Sequence, residues 1–326
     1  MLASVRVLLN KIIDYAGLFP PAQLPMSEAF DRFIHHSSGP DGWMLARFVC
    51  PASRLDELSP LMGRLRPGHG PFRIAVLGRG GTTADSFTSG VKADLEDMEW
   101  FHRLHGSRAP LEQFEVRLPD APGKLGSCVA TAVAELSRIG SSPAPFFETS
   151  LLDGWRTSFP EAAASILGAA GRGRTAGLKI RCGGLDASAV PSPVAVAAAI
   201  SAGVELEVPI KATQGLHHPL RHFDSTLETV THGFLNLFVA GVLAHAHDLA
   251  EETLLAILEE EEAAGFTFTS QGLSWRGTAA NVEQINAARE SGVTSFGSCS
   301  FAEPRDDLYE LGLLSEGAPA DRPNTA

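Results

Sequence analysis

The chain has 326 residues, of which 44% are hydrophobic and 20% charged, and its formal net charge is −12. A chain of this size and composition can bury its own core, and its negative charge disfavours binding to nucleic acid or to an anionic membrane surface. Its four cysteines show no C-x-x-C spacing and its N-terminus lacks a cleavage pattern, so we expect reduced thiols in a cytoplasmic protein.

Short apolar runs predict eight strands, at 8–15, 43–50, 72–77, 113–118, 145–150, 177–181, 205–211 and 294–299. Helical spacing of apolar residues predicts helices between the first six strands, at 26–36, 53–66, 82–105, 123–139 and 160–170. An Ala-rich helix precedes the seventh strand. A long helical region at 226–263, a small hairpin at 266–276 and helices at 279–291 and 306–314 complete the chain. The longest apolar helix, near 234–244, is too short to span a bilayer.

The alternation of strands with helices predicts a parallel sheet with helical crossovers. Eight such units favour a single (β/α)8 TIM-type barrel. An open Rossmann sheet should carry G-x-G-x-x-G after its first strand, whereas this chain has LFPPA there. We therefore expect one barrel domain over 1–314, with a helical and hairpin insertion at about 226–290 between strands seven and eight. A disordered tail is expected at 315–326.

Charged residues alternate with apolar ones along several of these strands. In the sixth strand, Leu178 and Ile180 should face the surrounding helices, which directs Lys179 and Arg181 into the barrel. The same argument directs four more ionisable residues inward from strands four, five and seven: Glu115, Arg117, Glu148 and Lys211. Such groups must pair with one another or bind substrate, and in this fold the C-terminal mouth holds active sites. A structural ion-pair network that closes the barrel is the alternative.

Two neighbouring lysines and a carboxylate are the components of Schiff-base catalysis. A second cation nearby lowers the pKa of a lysine and frees its amine to attack a carbonyl group. Lys179 and Lys211 supply the two amines, and Glu115 or Glu148 supplies the proton shuttle.

An anionic group on the substrate is expected at the same mouth. Arg117 and Arg181 supply positive charge for it, and the amides around Gly183 and Gly184 form a glycine loop that suits an anion.

The segments LKIRCGG, PIKATQG and SFGSCS resemble those of deoxyribose-phosphate aldolase and its class I aldolase relatives. The resemblance implies that Lys179, in a K-x-x-x-G context, is the Schiff-base lysine and that Lys211 is the activating lysine. It also implies a phosphate loop near Gly297 and Ser298, and an acidic catalytic role for Glu115, where that family has Asp. The segments IDYAGLFPPA, KATQGLHHP and FGSCSF are also similar to those of an uncharacterised group of bacterial α/β-barrel proteins.

The sequence departs from the aldolase pattern after Lys211, where it continues as GLHHP, and more than one βα unit separates that lysine from the GSCS loop. His217 and His218 in this loop suit acid–base chemistry or hydrogen bonding to substrate. A metal-dependent lyase or hydrolase that uses these histidines is one alternative, and a non-catalytic metabolite-binding barrel is another. We expect no cofactor, a small carbonyl compound as the partner, and a possible homo-oligomer.

Overall fold

The structure, a computed structural model, describes residues 1–66, 68, 70–170 and 176–315. The strands are β1 (Ile13–Tyr15), β2 (Leu45–Pro51), β3 (Ile74–Leu77), β4 (Leu111–Arg117), β5 (Ala144–Thr149), β6 (Gly177–Arg181), β7 (Ile210–Thr213), β8 (His222–Asp224), β9 (Thr229–Thr231), β10 (Phe266–Phe268), β11 (Gly272–Trp275), β12 (Thr278–Asn281) and β13 (Val293–Ser298). The helices are α1 (Ala3–Leu9), α2 (Met26–Ser37), α3 (Leu55–Leu58), α4 (Ala84–His105), α5 (Leu125–Leu136), α6 (Trp155–Ala170), α7 (Pro193–Glu205), α8 (Phe234–Ala246), α9 (Glu251–Leu258), α10 (Val282–Ser291) and α11 (Ala302–Glu310).

Strands β1 to β7 and β13 form a closed parallel barrel, in which β13 lies between β7 and β1. The predicted (β/α)8 barrel is therefore confirmed. In the register of β6 and β7, Lys179 is paired with Lys211, and across β5 and β6 Glu148 is paired with Lys179. Chain order is thus also the order around the barrel, which fixes where each strand-borne side chain lies in the interior.

The segment between β7 and β13 is more varied than the sequence predicted. The two-part helical region expected at 226–263 is confirmed as α8 and α9, but its expected start is wrong, because Thr229–Thr231 is β9 and pairs with β8 in a hairpin. The expected hairpin at 266–276 is part of a three-stranded antiparallel sheet, to which β12 adds an edge.

Two barrel strands begin later than predicted. The region 8–15 is α1 followed by the short β1, since Val5, Leu8 and Leu9 are buried at helical spacing and only the last three residues are extended. The seventh strand was expected at 205–211, but α7 continues to Glu205 and Glu207 takes a positive φ of 53° in the turn. The predicted tail lies outside the described residues except for Ser315.

The helical stretch Ala187–Glu205, which contains α7, has the length and apolar composition of a membrane-spanning helix. The sequence predicted the helix near 234–244 as the longest apolar helix instead, because Pro191 and Pro193 interrupt the helical spacing of this stretch. In the barrel, α7 contacts α6, α8 and α9 and buries six residues, as the core helix of a barrel does. Its composition alone therefore does not indicate a membrane segment.

Asn281 begins α10 with a reciprocal cap. The Gln284 N–H donates to Asn281 Oδ1 at 2.8 Å, and the Asn281 N–H donates to Gln284 Oε1 at 2.9 Å. We expect Asn281→Ala to lower the free energy of unfolding by about 1 kcal/mol, measured by urea denaturation. Asn286→Ala, at an exposed site inside the same helix, is the matched control. Equal effects of the two substitutions would contradict a role for the cap.

Candidate functional site

Lys211 lies in a fully enclosed set of acceptors inside the barrel. Its Nζ is 2.7 Å from Asp14 Oδ2, donates to Gln113 Oε1 at 2.8 Å, and forms an ion pair with Glu115 Oε1. Ser295 donates to the same Asp14 oxygen at 2.5 Å. Lys211 is only 1% exposed, so these groups replace its entire hydration shell.

Lys179 is held in a similar way by two carboxylates. Its Nζ is 2.9 Å from Glu115 Oε2 and 3.1 Å from Glu148 Oε2. The other oxygen of Glu148 accepts a hydrogen bond from Arg181 at 2.6 Å. Glu115 therefore bridges the two lysines, and Glu148 bridges Lys179 and Arg181.

These contacts make one line of charges that alternate in sign across the barrel: Asp14, Lys211, Glu115, Lys179, Glu148 and Arg181. The alternation explains how so many ionisable groups are buried together, because each desolvated charge has a neighbour of the opposite sign. Only inward-pointing side chains can make these contacts across non-adjacent strands. The alternation argument therefore placed Lys179, Lys211, Glu115 and Glu148 correctly.

The protonation states follow from the bridging carboxylates. Burial alone would raise the pKa of Glu115, but the two lysine ammoniums outweigh it and lower this pKa to about 2. Burial would raise the pKa of Glu148, but the positive charges of Lys179 and Arg181 outweigh burial and lower this pKa. Burial would lower the pKa of Lys179, but Glu115 and Glu148 outweigh it and raise this pKa.

Lys179 is therefore an ammonium in the free protein, and the expectation that Lys211 lowers its pKa is corrected. The physical reason is the position of Glu115. Its carboxylate lies between the two lysines and contacts both, so the attraction of each ammonium to the carboxylate replaces their mutual repulsion.

A cavity of about 250 Å³ lies at the C-terminal end of the barrel, lined by residues of all eight barrel strands or of the loops that follow them. Glu115, Glu148 and Lys179 form part of its floor, whereas Lys211 is not among its lining residues. The structure therefore distinguishes the two lysines. Lys179 is in contact with the cavity, and Lys211 lies sealed behind Glu115.

Two arginines at the cavity differ in their partners. The Arg181 side chain is 40% exposed and pairs with Glu148. Arg117 is exposed, lines the cavity, and has no ion pair or hydrogen bond within the described part of the chain. Arg117 thus lines the same cavity as Lys179, and its positive charge is unpaired among the described residues.

The predicted anion loops are only partly at the cavity. Gly184 and Gly297 line it. Gly183 instead packs on the loop after β7, where an added Cβ would lie 2.8 Å from the Cα of Gly215. Ser298 is buried, and its hydroxyl donates to the carbonyl of Ser300 at 2.7 Å, so it stabilises its own turn.

The two histidines of the GLHHP loop separate. His217 lines the cavity and its Nδ1 is 3.0 Å from Glu303, whereas His218 lies outside the lining with its Nδ1 2.6 Å from Asp307. Among the described residues, no group of three or more His, Cys, Asp and Glu side chains could hold a metal ion. The metal-dependent alternative therefore gains no ligand set from this loop.

Several residues of the site were missed from the sequence. Asp14 was missed because the predicted run 8–15 starts in the last turn of α1, and only its last three residues form a strand to which alternation applies. Gln214 lines the cavity with a positive φ of 57°, and its Oε1 is buried without a partner among the described residues. Gln214 could have been predicted as a site residue, because it stands before Gly215 in the loop that follows Lys211 at the end of a strand.

Neither a protein-family model nor a curated protein matches this sequence significantly. The functional argument accordingly depends on the geometry of the site. The resemblance to class I aldolases, the cytoplasmic location, the expected lack of nucleic-acid and membrane partners and the possible homo-oligomer stay predictions.

We expect Lys211→Met to lower the free energy of unfolding by about 3–5 kcal/mol, because it leaves Asp14 and Glu115 buried without their shared cation. Urea denaturation at neutral pH measures this loss. Lys92→Met, on an exposed position of α4, is the matched control. A Lys211 variant as stable as the control would show that Arg47 and Lys179, which also contact Asp14 and Glu115, suffice for the two buried carboxylates.

Acid should destabilise the protein through Glu115. The pKa of this carboxyl is about 2 in the folded protein against an ordinary 4.5, so its contribution is complete above pH 4.5 and is lost as the pH falls toward 2. The loss over this range is on the order of 3 kcal/mol. Glu115→Gln should be less stable at neutral pH and show a shallower loss below pH 4.5. Glu96→Gln, exposed on α4, should keep the slope of the unmodified protein.

Proposed function

We propose that this protein is a class I aldolase-like lyase in which Lys179 forms a Schiff base with a small carbonyl compound that carries an anionic group. The observation that carries this proposal is the position of Lys179: a buried lysine that contacts the cavity and two potential proton acceptors at once. A barrel that needed only structural ion pairs would have no reason to expose this lysine, rather than Lys211, to the cavity.

Arg117 and Arg181 would bind the anionic group of the substrate. Arg117 is available without breaking any interaction with a described residue, so its positive charge attracts an anion into the cavity. A substrate carboxylate or phosphate that also reaches Arg181 competes with Glu148 for that guanidinium. Substrate binding would in this way weaken the Arg181–Glu148 pair.

The competition at Arg181 supplies a route to the free amine. Once Arg181 turns to the substrate, the pKa of Glu148 rises and its carboxylate accepts a proton from the Lys179 ammonium, 3.1 Å away. Glu115 contacts the same ammonium, but its pKa stays low while Lys211 is paired with it. We therefore favour Glu148 as the proton shuttle and assign Glu115 to hold the two lysines in place.

The covalent steps follow from the free amine. The Lys179 amine adds to the carbonyl carbon. The carbinolamine then takes the proton held by Glu148 and loses water to give an iminium ion, which leaves Glu148 as a carboxylate again. As the hydroxyl on the far side of the scissile C–C bond gives its proton to a carboxylate, the bond's electron pair moves into the iminium to form an enamine and a free carbonyl product. Protonation of the enamine and hydrolysis of the iminium release the second product and restore Lys179.

Lys211 would be a positioning residue in this scheme, since it does not line the cavity. Its charge keeps Glu115 ionised and fixes the carboxylate on which Lys179 rests. Asp14 and Gln113 orient Lys211 from behind.

A second candidate is a metabolite-binding barrel without turnover. The raised pKa of Lys179 favours it, because a lysine that stays protonated binds anions but does not attack carbonyl groups. The two candidates differ in whether a covalent bond forms at Lys179.

Borohydride reduction distinguishes them. With candidate aldehydes and ketones present, we expect reduction to attach the substrate to the peptide that contains Lys179, detected by mass mapping. The trapping rate should change little with pH near neutrality, because Glu148 and not the solvent takes the proton from Lys179 in the complex.

Lys179→Met should abolish the adduct, and Lys92→Met should leave it intact. An adduct on other lysines alone, or none with any carbonyl compound, would favour the binding barrel and overturn the lyase.

A further inference from the structure

The lining of the cavity changes in character around the barrel. Because the strands close in chain order, each sector of the lining comes from one part of the chain. The first sector is formed by the loop after β1 and by the C-terminal parts of β2 and β3. Its side chains are apolar: Phe19, Pro20, Pro21, Val49 and Leu77. None of these five side chains can donate or accept a hydrogen bond.

The charged residues occupy a different sector. Glu115 and Arg117 come from β4, Glu148 from β5, and Lys179 and Arg181 from β6. In a ring of eight strands β2 stands four strands from β6, so Val49 faces Lys179 and Arg181 from across the barrel.

The third sector, after β7 and β13, is polar but carries few charges. It includes Thr213 and Gln214, whose Oε1 lacks a partner among the described residues. It lies between the cationic and apolar sectors and suits a hydroxyl or carbonyl oxygen. The cavity thus presents separate surfaces for an anion, an oxygen function and a hydrocarbon group.

A fully hydroxylated substrate would fit this lining poorly. Hydroxyl groups placed against Phe19, Val49 and Leu77 would lose their hydration without gaining hydrogen bonds. An alkyl group in the same place gains affinity in proportion to the apolar area that it buries. One apolar residue of another sector agrees with this preference: Leu185, after β6, lines the cavity and is 70% exposed.

We infer that the substrate is an amphipathic hydroxy oxo acid: it has an anionic group at one end, the carbonyl and the single hydroxyl that the lyase step needs in the middle, and an alkyl group at the other end. This inference rests on the proposed function for the place of the carbonyl at Lys179. The anion lies at Arg117 and Arg181, and the alkyl group lies against the wall formed by Phe19, Val49 and Leu77.

A homologous series of ligands tests the wall. The probes are pyruvate and its straight-chain homologues up to a butyl side chain, each paired with an analogue that ends in a hydroxyl group. Isothermal titration calorimetry should show Kd falling about fourfold for each added methylene group. The hydroxylated analogues should bind more weakly than the alkyl compounds of the same length.

Substitutions in each sector show which part of the lining causes the gain in affinity with alkyl length. Val49→Thr is nearly isosteric and should reduce the gain in affinity per methylene group. If this substitution in β2 disturbs folding, Phe19→Asn in the loop after β1 provides a second test. Arg117→Gln should weaken binding of every acid by a similar factor and leave the gain per methylene group unchanged.

The possible outcomes separate this inference from the Schiff base. Affinity that does not rise with alkyl length, tighter binding of the hydroxylated analogues, or no binding of any member overturns the amphipathic substrate. Reductive trapping at Lys179 that is most efficient with the compounds that end in a hydroxyl group would overturn it while the lyase stands. Affinity that rises with alkyl length, without trapping at Lys179, would support the substrate class and overturn the lyase.

Discussion

The carboxylate of Glu115, held between the ammoniums of Lys179 and Lys211, is the interaction on which the site depends. Two buried ammoniums without it would repel each other in a medium that screens charge poorly, and a buried carboxylate without them would be protonated. With all three present, each group stabilises the ionised form of its neighbours. The same arrangement sets the chemical problem of the site, because a lysine that is so well paired must lose a proton before it can react.

Strand alternation was sufficient to place the charges of β4, β5, β6 and β7 in one interior space. It succeeded for β4, β5 and β6 because these strands are short, flanked by apolar residues that face the helices, and correctly located in the sequence. For β7 it succeeded because Ile210 and Lys211 belong to both the expected and the observed strand. It failed for Asp14, where the predicted strand included part of α1 and so had no single alternation. The insertion between β7 and β13 was predicted only in part: the two helical runs match α8 and α9, but β8 and β9, of three residues each, are too short to show alternation.

Other properties of the site were beyond any local pattern. Lys179 contacts the cavity, whereas Lys211 does not. This difference depends on the carboxylate of Glu115 on β4, which lies nearly a hundred residues before Lys211 in the chain. The direction of the Lys179 pKa shift follows from the same placement. The apolar wall is assembled from a loop and two strand ends, and the direction of such side chains depends on how the barrel closes.

The hydrogen bond from Ser295 to Asp14 joins β13 to β1, across the seam where the barrel closes. Asp14 in turn holds Lys211, so the lysine's environment is complete only when the last strand has docked on the first. A nascent chain emerging from the ribosome therefore has its reactive groups distributed over unfinished strands until β13 is released. Assembly of the charge line thus coincides with completion of the fold, and the buried ammonium of Lys211 gains its full set of partners only once β13 has met β1.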